Sequence, residues 1–203
     1  MTHVIQKYFW WKWHNFMKND ILKYLKSFQN DFNLFIKKSN EDIFIASKII
    51  SEAFKNNNKL LICGNGGSAS DAQHFSAELI GRFKKERASL PAIALNTDTS
   101  SITAIANDYN YKKIFSRQIE GLGQKGDILL AISTSGNSHN IKEALKVAKK
   151  KNIITIGLTG KNKSILLKES DYCIAVPSYQ TSHIQELHII VLHLLCILIE
   201  KNI

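Results

Sequence analysis

Apolar residues along this chain follow two rhythms. Through residue 58 they recur at helical spacing, most clearly in Ile43, Ile45, Ala46, Ile49, Ile50 and Phe54, and no Gly or Pro interrupts them. Two helices are predicted there. Beyond residue 58 the apolar positions gather into short continuous runs at 60–63, 92–95, 128–132, 153–158 and 172–176, separated by helical stretches. Such runs predict strands covered on both faces, the pattern of a parallel sheet. The expected class is therefore α/β, a three-layer αβα sandwich around a five-stranded parallel sheet, preceded by N-terminal helices. Its expected organisation is an oligomerising helical segment over 1–58, packing between subunits, and one α/β domain over 59–203. The most apolar stretch, 187–199, is too short to span a bilayer and predicts a buried C-terminal helix.

Candidate chemistry sits where the first strand ends. Gly64-Asn65-Gly66-Gly67-Ser68 leads straight into a helical stretch carrying Asp71, His74 and Glu78. The glycines let the backbone turn sharply and approach a ligand closely, and the helix start behind them offers unpaired amides to an anion. His74 and Glu78, four residues apart, share one helix face and can share a substrate or a metal ion. A His and a Glu at this spacing are also found on plain solvated faces, and it is the glycine turn upstream that favours function.

A second anion site is predicted at Ser133-Thr134-Ser135-Gly136-Asn137-Ser138, between the strand at 128–132 and a helical stretch at 141–148. Hydroxyls, backbone amides and the positive end of a helix dipole together bind phosphate oxygens. Ser and Asn are good N-caps, but one cap needs one residue. Both turns fall at the carboxyl ends of strands, where open α/β sheets bind ligands.

These turns, with Ala106-Asn107-Asp108, Gly126-Asp127 and Ile184-Gln185-Glu186-Leu187-His188 followed by His193, resemble the sugar isomerase (SIS) family of α/β domains and, within it, the phosphoheptose isomerases. The resemblance spans roughly residues 59–200. It implies isomerisation of sedoheptulose 7-phosphate to D-glycero-D-manno-heptose 7-phosphate, the first step toward nucleotide-activated heptose for bacterial surface polysaccharide. It also implies a homotetramer that holds zinc. By the same resemblance Asn65, Gly66 and Gly67 contact the sugar phosphate, Ser133, Thr134, Ser135 and Ser138 hold the phosphate, and Asn107 and Asp108 touch sugar hydroxyls. His74, Glu78, Gln185 and His193 match the zinc ligands, with His74, Glu78 and Gln185 also bordering the substrate, and Glu78 and His193 match the acid–base pair. Relatives carry Asp and Arg where this chain has Ser182 and His183, so the roles of those groups do not carry over. His183 then reads as a decoy among the seven histidines, and His188 as a satisfied core histidine.

Ketose–aldose isomerisation moves a proton between C1 and C2 through an enediol, so one group works at carbon and another at oxygen. Glu78 is the expected base and His193 the expected acid, with the exchanged assignment left open. Gln185 and His193 are eight residues apart, about 12 Å along a helix axis and about 80° around it. One ion would stretch that pair, so either long side chains converge from two turns apart or one of the two serves a site completed by a neighbouring subunit, the arrangement that the resemblance implies.

Net charge is +10, and residues 1–59 supply half of it, with ten Lys against five acidic residues. Basic charge attracts anions such as sugar phosphates, but the lysines are scattered, so no nucleic-acid partner is required. The opening Tyr8-Phe9-Trp10-Trp11-Lys12-Trp13 reads as an anchor in a helical interface, or as an extension upstream of an alternative start at Met17. Cys63, Cys173 and Cys196 each lie in an apolar run, as reduced thiols of a cytoplasmic protein do, and no secretory leader is seen. The competing reading is a non-catalytic replication-initiator-associating protein on the same scaffold, which the run from Arg82-Phe83 to Asp108 resembles equally well. In that group the positions of Glu78 and His193 carry residues unfit for the chemistry, and this chain keeps both. A sugar-phosphate-sensing regulator would need a DNA-binding module, for which the first 58 residues show no helix-turn-helix with a glycine turn.

Overall fold

Two helices, α1 (Thr2–Lys38) and α2 (Asn40–Lys55), open the chain, broken only at Ser39. The computed structural model describes the backbone of residues 2–161 and 163–203, with side chains from residue 17 onward except at 162. Tyr8 to Trp13 therefore lie on helical backbone, while their role as an aromatic anchor falls outside the described side chains.

Five strands follow, β1 (Leu60–Gly64), β2 (Ala92–Ala94), β3 (Ile128–Ser133), β4 (Ile154–Thr159) and β5 (Tyr172–Ala175). All pair in parallel, in the order β2-β1-β3-β4-β5. The connecting helices are α3 (Gly67–Ile80), α4 (Thr99–Asp108), α5 (Ile114–Leu122), α6 (His139–Lys150) and α7 (Ile165–Glu169), and α8 (Thr181–Asn202) ends the fold. Alternate residues of each strand feed two cores. Leu60, Ile62, Ile128, Leu130 and Ile132 pack with α2, α3 and α8, while Leu61, Cys63, Leu129 and Ala131 pack with α5 and α6. This is the expected three-layer arrangement. The chain reverses direction of winding between β1 and β3, which opens a crevice at their carboxyl ends.

The helical segment is more intimate with the sheet than its pattern predicts. Ile43, Ala46, Ile50, Ala53 and Phe54 of α2 are buried in the same core as β1 and α8, so α2 covers its own sheet and does not serve only subunit contacts. α1 differs, exposing Met17, Ile21, Leu22 and Leu25. Its C-terminal half docks through Phe28, Phe32 and Phe35 on the core shared with α8, and through polar contacts. Asp31 Oδ2 accepts a hydrogen bond from Ser178 at 2.6 Å and lies 2.8 Å from Nδ1 of the fully buried His183. Tyr24 donates to Glu186, and Tyr24 and Phe28 meet the His183 ring edge-on. His183 is thus a helix-docking residue, in keeping with its reading as a decoy.

α8 is longer than the apolar run that predicts it, because Thr181-Ser182 and Glu200-Lys201 continue the helix at both ends. By length and composition it is the one described helix able to cross a membrane, yet half of its apolar window is buried in this chain's own core. His188, also on α8, is fully buried but has no well-formed hydrogen bond to either ring nitrogen among the described residues. It is not the satisfied core histidine expected. Burial pushes it down to about 4, with the Thr159 carbonyl acting the other way, so the ring is neutral. The three cysteines are free, and burial pushes all three thiols up, Cys173 and Cys196 to about 12.

Candidate active site

At the carboxyl end of β1 the chain turns through Asn65 and Gly66 into α3. The amides of Ser68 and Ala69 bond to the carbonyls of Asn65 and Gly66, so the anion cradle is narrower than expected and rests on the residues before Ser68. Asn65 is held from two sides. It exchanges amide hydrogen bonds with Asn140 at 2.9 and 2.8 Å, and the Tyr111 hydroxyl donates to its Oδ1 at 3.2 Å. Asn96, just after β2, donates to the Gly64 carbonyl at 2.7 Å.

The turn after β3 lies across the crevice. Gly136 has φ +66, and a Cβ there would also meet Thr159 Oγ1 at 2.7 Å, so a side chain is excluded by conformation and by space. Ser133 is buried, and its Oγ accepts the Gly136 amide at 3.1 Å. Ser135 Oγ accepts the Asn137 amide at 3.3 Å. Two of the four hydroxyls thus build the turn. Ser138 is the N-cap residue of α6, yet its hydroxyl makes no capping bond and lies 3.4 Å from Ser133 Oγ. Thr134 is half-buried.

The acid–base candidates come from two helices that run side by side in the same direction. Gln185 packs over Gly67, where a Cβ would collide with its amide, His193 meets His74, and Glu200 meets the segment after α3. The sequence separation hardly changes, 119 residues for His74–His193 and 117 for Phe83–Glu200, as parallel neighbours require. The stretch between Gln185 and His193 is thereby matched by α3 within one chain.

Nε2 of His74 and Nε2 of His193 face each other at 2.9 Å, and Glu78 Oε1 lies 3.6 Å from the same His74 nitrogen. Between two neutral imidazoles one must donate and the other accept. His74 is 42% exposed at its side chain and Glu78 26%, so solvent and ligand can reach them. Phe83 stacks on the far side of His193, with centroids 5.4 Å apart. Two imidazole nitrogens and a carboxylate are a donor set that zinc takes, with the Gln185 amide further along α8, over Gly67. They form a chain through His74; among the described residues no three His, Cys, Asp or Glu side chains make a closed metal cluster.

Asp71, one turn before His74 on α3, is buried, and its Oδ2 has no partner among the described residues. Burial pushes its carboxyl up to about 6, with His74 acting the other way.

Asn107 and Asp108 stand apart. They end α4, exposed, with Asn107 donating to Asp108 at 2.9 Å and no hydrogen bond to either turn among the described residues. An open groove of about 830 Å³ runs along α3 and the edge strand β2, lined by Gln73, His74, Ile80, Ile93 and Thr97. Of the candidates only His74 borders it. Asn140, Tyr111, Asn96 and Phe83 support the site without having been read from the sequence. Only Asn140 left a signal there, as a further amide just after the serine-rich turn.

A family model described as the SIS domain matches residues 23–160. A phosphoheptose isomerase of a Nitratiruptor species is 52% identical over 186 residues, 92% of this chain and 100% of that protein. One from Campylobacter jejuni subsp. jejuni serotype O:6 is 52% identical over 157 residues, 77% of this chain and 84% of that protein. Among solved structures, a phosphoheptose isomerase from Neisseria gonorrhoeae aligns with a TM-score of 0.86 at 38% identity, over 91% of this chain and 99% of that one. Another, from Francisella tularensis, aligns with a TM-score of 0.89 at 37% identity, over 91% and 98%.

Proposed function

We infer the activity from the family: this chain belongs to the SIS-domain family and, within it, to the phosphoheptose isomerases. It is an aldose–ketose isomerase that interconverts sedoheptulose 7-phosphate and D-glycero-D-manno-heptose 7-phosphate, supplying heptose for nucleotide activation and surface polysaccharide. The observation that carries the mechanism is the meeting of His74, Glu78 and His193 beside two loops suited to a phosphosugar.

In the forward reaction Glu78 removes a proton from C1 of the ketose while His193 gives a proton to the C2 oxygen, which leaves an enediol. Glu78 then returns the proton at C2 while His193 takes the proton from the oxygen at C1, so that the aldose forms and both groups regain their starting states. His74, within reach of both groups, relays or orients the proton at His193 Nε2. Asn65, Gly66 and Gly67 bind the sugar end of the substrate, and Ser133, Thr134, Ser135 and Ser138 bind its phosphate. His74, Glu78, Gln185 and His193 are the residues that would hold zinc, which when bound polarises the sugar carbonyl.

The working unit is a cytoplasmic homotetramer with sites shared between subunits. The exposed apolar residues of α1 and the groove beside His74 support this, as does the isolation of Asn107 and Asp108, which are assigned to sugar hydroxyls. Neither nucleic acid nor a membrane is needed for this chemistry, and an initiator-associating protein would have no use for the His–His–Glu arrangement.

Turnover of sedoheptulose 7-phosphate by the wild type, Glu78→Gln and His193→Ala, each metal-free and with added zinc, tests the reading. Each variant should lose about 10²- to 10⁴-fold in kcat with folding intact. A wild type that binds the sugar phosphate but never turns it over under any metal condition would overturn it.

A further inference from the structure

A buried carboxylate outside the site reaches toward both acid–base candidates. Glu200, on the last turn of α8 and 5% exposed, accepts hydrogen bonds from three consecutive amides, Phe83, Lys84 and Lys85, at 3.0, 3.1 and 3.0 Å. It also lies 3.3 Å from Nε of Arg87, whose side chain is 8% exposed. Successive amides converging on one point form an anion nest, filled here by the chain's own carboxylate. Burial alone would raise Glu200, but the amides of Lys85, Phe83 and Lys84, together with Arg87, outweigh it and hold it below the usual glutamate value. At neutral pH it is an anion.

Two arms lead from this anchor. The Arg87 guanidinium donates to the carbonyls of Leu79 at 2.8 Å and Glu78 at 2.9 Å, satisfying the end of α3 at the residue that carries the candidate base. Phe83, whose amide Glu200 holds, lays its ring against His193 with the planes 25° apart. His74, which faces Nε2 and meets the ring edge-on, is the other described partner of His193, and Phe83 is the described ring that stacks on its face.

We propose that Glu200 is a positioning residue for the isomerase reaction, fixing the backbone under Glu78 through Arg87 and the plane of the His193 ring through Phe83. The inference rests on the isomerase reading. It explains why one carboxylate is buried against three amides and a guanidinium on a loop that contributes no candidate ligand of its own. A misplacement of either reacting group by about 1 Å lowers turnover much more than it lowers binding.

The test compares wild type, Glu200→Gln, Phe83→Leu and Phe83→Tyr in kcat and KM for sedoheptulose 7-phosphate, per mole of folded protein. It adds the NMR signals of the ¹³C-labelled His193 ring in the wild type and Glu200→Gln. Glu200→Gln and Phe83→Leu should each lose about tenfold or more in kcat with KM nearly unchanged, Phe83→Tyr should keep wild-type kcat, and the His193 signal should move or broaden in Glu200→Gln. If Glu200→Gln does not fold, the contrast between Leu and Tyr at position 83 decides alone. Variants that lose thermal stability but keep wild-type kcat, with an unmoved His193 signal, would overturn the proposal. A wild type without turnover would instead count against the isomerase reading, and the His193 signal would still report on the positioning.

Discussion

Asn65 and Asn140 exchange amide hydrogen bonds in both directions, at 2.9 and 2.8 Å, across the crevice between β1 and β3. Each side chain satisfies the other, and Asn140 also accepts the amide of Ile141 at 3.0 Å. The glycine turn and the serine-rich turn are thereby held at one spacing, which matters if a single phosphosugar must touch both.

Asn140→Leu keeps the forked shape of the side chain and removes the exchange. Asn140 is buried, so the change strands the Asn65 amide and should cost about 1–3 kcal/mol in urea unfolding. KM for sedoheptulose 7-phosphate should rise more than kcat falls, because the loops lose their spacing while the proposed acid–base pair on α3 and α8 is untouched.

Gly67→Ala tests the other end of the site. The added Cβ would occupy the space of the Gln185 amide, the end of a flexible side chain, so Gln185 swings away at little cost to folding. Stability should change by less than about 1 kcal/mol while kcat/KM falls about tenfold or more. Zinc titration followed by calorimetry should show weaker binding if the Gln185 carbonyl is a ligand.

Asp71 gives a pH dependence with a definite sign. Its folded value of about 6 lies above the ordinary carboxylate range because it is buried. The folded chain therefore holds this proton more tightly than the unfolded chain does. The resulting stabilisation is complete at low pH and is lost as pH rises from about 4 through about 6. Asp71→Asn should melt higher than wild type above that window, and the gap should close below it.

Asp31→Ala should loosen α1. Ser178 and the buried His183 would both lose their partner, at a cost of about 1–3 kcal/mol. If α1 joins subunits, sedimentation at low protein concentration should also show smaller species than wild type.

The fold was largely legible because its signals are local. Each strand is a short apolar run closed by a Gly, Asn, Ser, Thr or Pro, and the observed strands match the predicted ones to within a residue or two. His74, Glu78 and His193 were legible as residues through helix spacing and family resemblance, and their meeting needed only two parallel helices. What stayed hidden depends on partners far along the chain. Glu200 binds amides 115 to 117 residues away, and Asp31 reaches a histidine 152 residues away, so nothing in their own neighbourhoods marks them. The C-terminal helix was underestimated because its polar ends carry no hydrophobic signal, although those ends hold Ser182, His183 and Glu200.

The side-by-side course of α3 and α8 limits how this enzyme can vary. Gln185, His193 and Glu200 meet Gly67, His74 and Phe83 in step, like rungs of a ladder. One residue inserted into either helix would turn everything beyond it by about 100°. The Gln185–Gly67 packing, the His74–His193 contact and the Glu200 loop anchor would then fail together. The two helices can therefore exchange side chains, but they can gain or lose length only outside the rungs.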